Sequence, residues 1–166
     1  RERFDKVVFA CHSDQALALL ADPSVAEREI LGALRYADND VVLHTDTRLL
    51  PARRLAWASW NYRLGGPADQ PAAVTYNMNI LQGIDSDTTF CVSLNQTAAI
   101  DPARILARFT YAHPQYSLAG LAAQERWREL LGERHSYYCG AYWANGFHED
   151  GVVSALRVAA AFGEAL

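Results

Sequence analysis

The chain has 166 residues, 51% of them hydrophobic and 20% charged, which allows one ordinary domain with a real core and excludes a disordered segment. A formal net charge of −4, with no block of like charge, excludes an electrostatic footprint for nucleic acid or for an anionic membrane. No apolar run approaches the ~20 residues that span a bilayer. Cys11, Cys91 and Cys139 stand far apart in apolar runs, so buried free thiols in a reducing compartment, the cytoplasm, are expected.

The sequence opens on Arg1, has Met78 as its one methionine and is inside a strand pattern by residue 7. It therefore reads as a piece of a longer protein. Lys6 to Ala10 is β-branched and apolar on both faces, the pattern of a strand buried in a parallel sheet. Ser13 or Asp14 is placed to cap a helix over Gln15 to Leu20. Ser24 caps a second helix, with Glu27 completing a capping box and Val25, Ile30, Leu31 and Leu34 on its buried face. Four strands follow, at Val41 to Thr47, Ala56 to Arg63, Ala73 to Asn79 and Thr89 to Asn95. Turns such as Gly65-Gly66-Pro67 separate them, and an antiparallel sheet is expected. On the second of these strands, Trp60 and Tyr62 would share one face and Trp57 the other. Ser117 caps a helix to about Leu131, closed by Gly132. Ser136 to Cys139 is a short strand, and the last helix runs from about Gly151 to Phe162.

Chemistry concentrates in the loop between those last two elements, Gly140-Ala141-Tyr142-Trp143-Ala144-Asn145-Gly146-Phe147-His148-Glu149-Asp150-Gly151. Ligands of open α/β sheets bind at the carboxyl ends of strands, and a helix N-terminus offers unpaired N–H groups and a positive dipole. Gly151 would let backbone approach a ligand, and Ala155 and Ala159 would let the helix pack closely. The bland alternative is a tight turn into a core helix, with Glu149 and Asp150 serving only as N-terminal acids. Tyr142 and Trp143 line a site on one reading and fill a core on the other.

The tail YYCGAYWANGFHEDGVVSALRVAAAF resembles the closing segment of flavin amine oxidases, protoporphyrinogen oxidases and phytoene desaturases. The opening FDKVVFACHSDQALALL and the stretch His113-Pro114-Gln115-Tyr116 are similar to the same families' passage out of, and back into, the FAD domain. The resemblance covers nearly the whole chain in order, and its specific part is the tail. It implies FAD as cofactor, with Gly140, Ala141, Tyr142, Trp143, Gly146, Glu149, Asp150, Gly151 and Ser154 at the flavin and the helix start at its N1/O2 edge. Two residues depart from the pattern: Ala141 stands where most relatives have Asp or Glu, and Ala155 replaces a glycine. No G-x-G-x-x-G can be built from the ten glycines, so the phosphate-binding half is expected upstream.

The fold class expected is α+β or α/β. A middle antiparallel sheet with helices (residues 23–134) would be flanked by pieces of a discontinuous, Rossmann-like FAD domain (residues 1–22 and 135–166). The function expected is removal of a hydride from an apolar or amine small molecule. Trp57, Trp60, Tyr62 and Tyr76 would line the substrate pocket, and no catalytic base is assignable. No metal is expected from the scattered His12, His44, His113, His135 and His148, and Cys11 and His12, as strand neighbours, would point to opposite faces. Two other readings compete: a non-catalytic module for a hydrophobic ligand, and a fragment that oligomerises by pairing exposed edges with a second copy.

Overall fold

The structure is a computed structural model that describes residues 2–64 and 73–164; the turn expected at Gly65-Gly66-Pro67 lies outside the described residues. In chain order the elements are β1 (Val7–Phe9), α1 (Ser13–Leu19), α2 (Val25–Ala33), β2 (Arg35–His44), β3 (Trp60–Tyr62), β4 (Val74–Asn77), α3 (Met78–Gln82), β5 (Cys91–Leu94), β6 (Ile105–Gln115), α4 (Leu118–Glu125), β7 (Ser136–Tyr138) and α5 (His148–Ala161). The fold is mixed α+β, with five α-helices among the described residues and a five-stranded antiparallel sheet in the order β3-β4-β5-β2-β6. Two compact units divide it, Arg1–Ala37 with Pro114–Leu166 and Asp38–His113. Among the described residues no helix is long and apolar enough to cross a membrane.

The first unit is organised by a parallel pair. β1 and β7 register Val7 with Ser136, Val8 with Tyr137 and Phe9 with Tyr138, and the Phe9 and Tyr138 rings stack 5.2 Å apart. The parallel pairing agrees with the sequence pattern, but the expected burial does not: Val7 and Val8 are 43% and 46% exposed, the sheet having two strands among the described residues. Ala16, Ile30, Leu31, Leu34, Ala123 and Leu130 of the helical layer pack with Tyr138, Tyr142 and Trp143 into one core. Burying a side chain such as Ile30 or Leu31 contributes about 1.5–3 kcal/mol.

Local signals account for most of the helix ends. Glu27 N–H donates to Ser24 Oγ at 3.1 Å and Ser24 N–H donates to Glu27 Oε2 at 2.6 Å, the expected capping box. Val25, expected on the buried face, is instead exposed, since it precedes the turn that meets the core. α1 starts two residues earlier than expected, at Ser13: His12 is its N-cap, with its N–H donating to Gln15 Oε1 at 3.2 Å. The helix expected to run to Leu131 stops at Glu125, because Arg126 takes φ −86° and ψ 7° and a 3-10 turn, Trp127–Leu130, follows. Arg126 reaches forward to Glu129 at 2.8 Å and across to Glu29 at 3.3 Å, which fixes that turn. Gly132 supplies the left-handed residue, φ 80°.

In the second unit the sheet is polar on its buried face. Registers Val42–Ser93 and Thr75–Ser93 place these residues in one row, His44–Cys91 and Asn77–Cys91 in the next, and all six are buried. The His44, Ser93 and Thr75 side chains are hydrogen-bonded internally, as burial demands, while Gln96 Oε1 beside them is buried without a partner. Asp46 N–H donates to His44 Nδ1 at 3.1 Å, so the ring proton sits on Nε2, which donates to Ser93 Oγ at 2.8 Å. Ser93 and Thr75 hydroxyls meet at 2.7 Å, and Gln96 Nε2 donates to Thr75 Oγ1 at 3.2 Å. The Asp46 carboxylate is held far below the usual carboxylate range, chiefly by hydrogen bonds from the Arg48 guanidinium.

Burial lowers the His44 pKa more than the nearby Asp46 raises it. The folded chain therefore resists a proton that the unfolded chain takes up below about pH 6.5, and stability present above that pH is lost as pH falls. Urea unfolding midpoints should drop between about pH 7.5 and 5. In His44→Gln that slope should be absent while the lower-pH loss from Asp46 persists. At the other unit, Ser24→Ala should cost about 1 kcal/mol in the same assay.

Candidate functional site

Beyond Tyr138 the parallel pair makes one more bond, Cys139 N–H to Phe9 O at 3.0 Å, so Gly140 is the first residue past its carboxyl end. Gly140 is extended (φ 163°, ψ 162°), a conformation open to any residue. Its missing side chain has a steric cause: a Cβ would stand 2.5 and 2.7 Å from atoms of the Tyr142 ring. Gly140 N–H donates to Ser154 Oγ at 2.8 Å, and the Ser154 hydroxyl donates to Gly151 O at 2.8 Å. Ser154 is buried and thus ties the strand end to the first turns of α5.

The loop itself is pinned from within. Ala141–Trp143 form a 3-10 turn, and Gly146 N–H donates to Ala141 O at 3.2 Å. Gly146 needs to be glycine twice over: φ is +85°, and a Cβ would meet Tyr116 Oη at 2.9 Å. Gln124 Nε2 donates to the carbonyls of Tyr142 and Ala144 at 2.8 and 2.7 Å, a clamp that no pattern in the sequence announces. Tyr142 and Trp143 turn inward, 4% and 6% exposed, and Trp143 Nε1 donates to Tyr138 O at 3.0 Å. Burial pushes the Tyr142 hydroxyl far above its ordinary pKa, so it stays neutral. With both rings in the core, the surface left by this loop is backbone, together with the exposed residues Asn145, Gly146, Phe147, His148 and Glu149.

The helix begins at His148, three residues before the expected start at Gly151. Asp150 is the reason: its Oδ2 accepts from Asn145 N–H at 3.1 Å and from Phe147 N–H at 2.9 Å, which closes the loop onto the first turn. Gly151 N–H already donates to Phe147 O at 3.3 Å. The positive end of α5 is therefore carried by the backbone of His148, Glu149 and Asp150, and not by Gly151. Ala155, expected at a close helix contact, is exposed.

Gly151 itself has neither of the reasons found at its neighbours. It lies inside a helix, its φ is not in the left-handed region, and an added Cβ would come no nearer than 3.8 Å, to Ala141 N. A helical glycine costs about 1 kcal/mol relative to alanine.

In the second unit, Trp60, Tyr62 and Tyr76 share a sheet face, through the registers Trp60–Tyr76 and Tyr62–Val74. Trp60 and Tyr62 are 55% and 60% exposed, and Trp60 meets Tyr76 edge-on at 5.4 Å. Val74, Val92, Leu94 and Leu43 extend the same face and are half-buried. Trp57 is not on the strand: it follows a 3-10 turn, Arg54–Ala56, and its Nε1 donates to Pro51 O at 2.8 Å. The pattern misled because the indole's hydrogen bond to Pro51 holds it outside the ladder.

No spacing in the sequence announces that His44 and Ser93 meet, a base and a hydroxyl 2.8 Å apart. They do not make a nucleophilic site. Both are fully buried, and His44 Nδ1 accepts from a backbone N–H instead of donating to a carboxylate. Among the described residues no three of His, Cys, Asp and Glu come together as a metal site would require. Cys91 and Cys139 are buried free thiols, and Cys11 is partly exposed.

Gly140 and Gly151 respond differently to a methyl group. Gly140→Ala should destabilise by about 1–3 kcal/mol through overpacking against Tyr142, whereas Gly151→Ala should stabilise by up to about 1 kcal/mol. Thermal unfolding of both variants checks this; equal shifts would contradict the assignment of the Gly140 constraint to Tyr142. Compared with known proteins, the chain matches no protein family, and no curated protein matches it either.

Proposed function

We propose that the chain is the C-terminal portion of an FAD-dependent oxidoreductase of the flavin amine oxidase type. The observation that carries this reading is Gly151. Its lack of a side chain is unexplained by conformation or by packing within the chain, and it lies one turn into the helix that follows the carboxyl end of a parallel strand pair. Glycine there suits the close approach of something planar to the backbone.

The residues present fit the ring end of a flavin and not its nucleotide end. The loop offers backbone and helix-terminal N–H groups, which suit the electron-rich pyrimidine edge of the ring. It offers no glycine-rich cradle for a diphosphate, and Ala141 contributes no carboxylate. The backbone of Gly140 to Asp150 and the first turn of α5 would hold the ring, with Ser154 and Gln124 keeping the loop in place. FAD, when bound, supplies the hydride-accepting chemistry. The chain's own part is to orient, to exclude water and to present positive backbone potential.

The half-exposed face of Trp60, Tyr62, Tyr76, Val74, Val92 and Leu94 supports an apolar or amine small-molecule substrate. That same face also supports the second reading, a non-catalytic module for a hydrophobic ligand. A cytoplasmic setting accords with the free thiols.

Purification of the chain within its complete reading frame separates the two readings. The flavoenzyme predicts a yellow protein that releases FAD on denaturation, and Gly151→Val should lower FAD retention at least about tenfold while leaving the unfolding temperature near that of the parent. A colourless protein that takes up no added FAD would sink the flavin reading and leave the binding module.

A further inference from the structure

Behind the loop, on the side of α4, lies an open groove of about 480 Å³, within the range of small-molecule sites. Its apolar walls are Leu121 and Trp127, with the small exposed part of the otherwise buried Trp143, and its polar groups include Glu125, Asn145 and Arg157. Leu121 is 49% exposed although it is a large apolar residue on a helix face.

The charges here are unevenly satisfied. Arg126, next to the groove, has Glu29 and Glu129 as partners, and Arg134 has Asp22. Arg157 has no carboxylate within 4.0 Å among the described residues, and neither has Arg128. Instead both guanidinium groups lie against one indole, Trp127, with Arg157 Cζ 4.8 Å and Arg128 Cζ 5.1 Å from its centroid. Two cations drawn to one ring, with no acid closing either, leave positive potential over an apolar surface.

Glu125 limits what that potential can hold. It lines the same groove, so a doubly charged anion such as phosphate would meet repulsion that a single charge largely avoids. Asn145 adds a side-chain amide, its backbone N–H being already committed to Asp150. The combination of one lining cation, one acid and an apolar floor selects for a single negative charge on an apolar body.

We propose that this groove binds a small amphiphilic monocarboxylate, with its head on Arg157 and Asn145 and its apolar body on Leu121 and Trp127. Nothing in the proposal requires a flavin, so it stands or falls separately from the oxidoreductase reading.

Calorimetric titration of octanoate and octanol into the purified chain tests it. Octanoate should bind about tenfold more tightly than octanol, and Arg157→Gln should bring octanoate down to the level of the alcohol. Arg157→Lys should keep most of the preference, and Glu125→Gln, an exposed change that spares the fold, should strengthen octanoate about two- to threefold. Absence of octanoate binding to the parent chain, equal affinity for acid and alcohol, or an unchanged octanoate affinity in Glu125→Gln would each overturn the proposal.

Discussion

Three register pairs between Val7–Phe9 and Ser136–Tyr138 hold together segments that lie at opposite ends of the sequence, and the candidate site depends on them. Because the strands are parallel, their carboxyl ends coincide, so the residues after Phe9 and those after Tyr138 emerge at the same edge. Cys139 N–H bonding to Phe9 O extends the ladder to the point where Gly140 turns away. The loop's geometry then follows by short steps. Gly140 admits the Tyr142 ring, Ser154 ties the strand end to α5, and Asp150 folds the chain back so that the helix begins at His148. A two-stranded parallel sheet is a marginal structure by itself, since parallel strands normally have both faces covered. The exposure of Val7, Val8, Val152 and Leu156 shows how much apolar surface this unit leaves uncovered.

The second unit inverts the usual arrangement of a half-buried sheet. Its polar row of His44, Ser93, Thr75 and Asn77 is buried, and its aromatic row of Trp60, Tyr62 and Tyr76 is the more exposed. Such an arrangement is tolerable when the inner polar atoms find partners, and the chain from Asp46 N–H through His44 and Ser93 to Thr75 and Gln96 Nε2 supplies most of them, Gln96 Oε1 being left unpaired. The polar interior fixes register, because a one-residue slip would exchange these groups for Val92, Leu94 and Tyr76. An apolar outer face is then available to meet a ligand or partner.

Much of the fold was legible because it rests on short-range chemistry. Ser24 and Glu27 announce their helix through a capping box that needs only three residues' separation, and the apolar run at Val7–Phe9 marks a parallel strand, though its partner β7 and its half-exposed faces are not written in that run. What failed rests on contacts that spacing does not encode. Alternation in Trp57-Ala58-Ser59-Trp60-Asn61-Tyr62 places three aromatics on a strand, yet one hydrogen bond to Pro51 removes Trp57 from it. The sequence pattern points to Gly151 as the start of α5, while the acid before it, accepting from Phe147 N–H, sets the true start. Buried His44 and Ser93 alternate with apolar residues, so the usual rule puts them in solvent. Nothing in their spacing says that the polar side faces inward.

Glycines separate structure from function more sharply than any polar residue in this loop. A serine or acid near a helix start always has a structural use available, and Ser154 and Asp150 are both consumed in that way. A glycine, by contrast, has a short list of reasons, each of which leaves a measurable trace: a left-handed φ, or a neighbour too close for a Cβ. Gly146 shows both and Gly140 shows the second, so neither speaks for a ligand. Gly151 shows neither, although the helix would gain from a side chain there. In the proposed flavin reading that position is kept clear for the ring; Gly32, inside α2 with an added Cβ no nearer than 3.7 Å to Leu17 Cδ2, likewise shows neither trace. What separates Gly151 from Gly32 is its place one turn beyond the carboxyl end of a parallel strand pair, where ligands of α/β sheets bind.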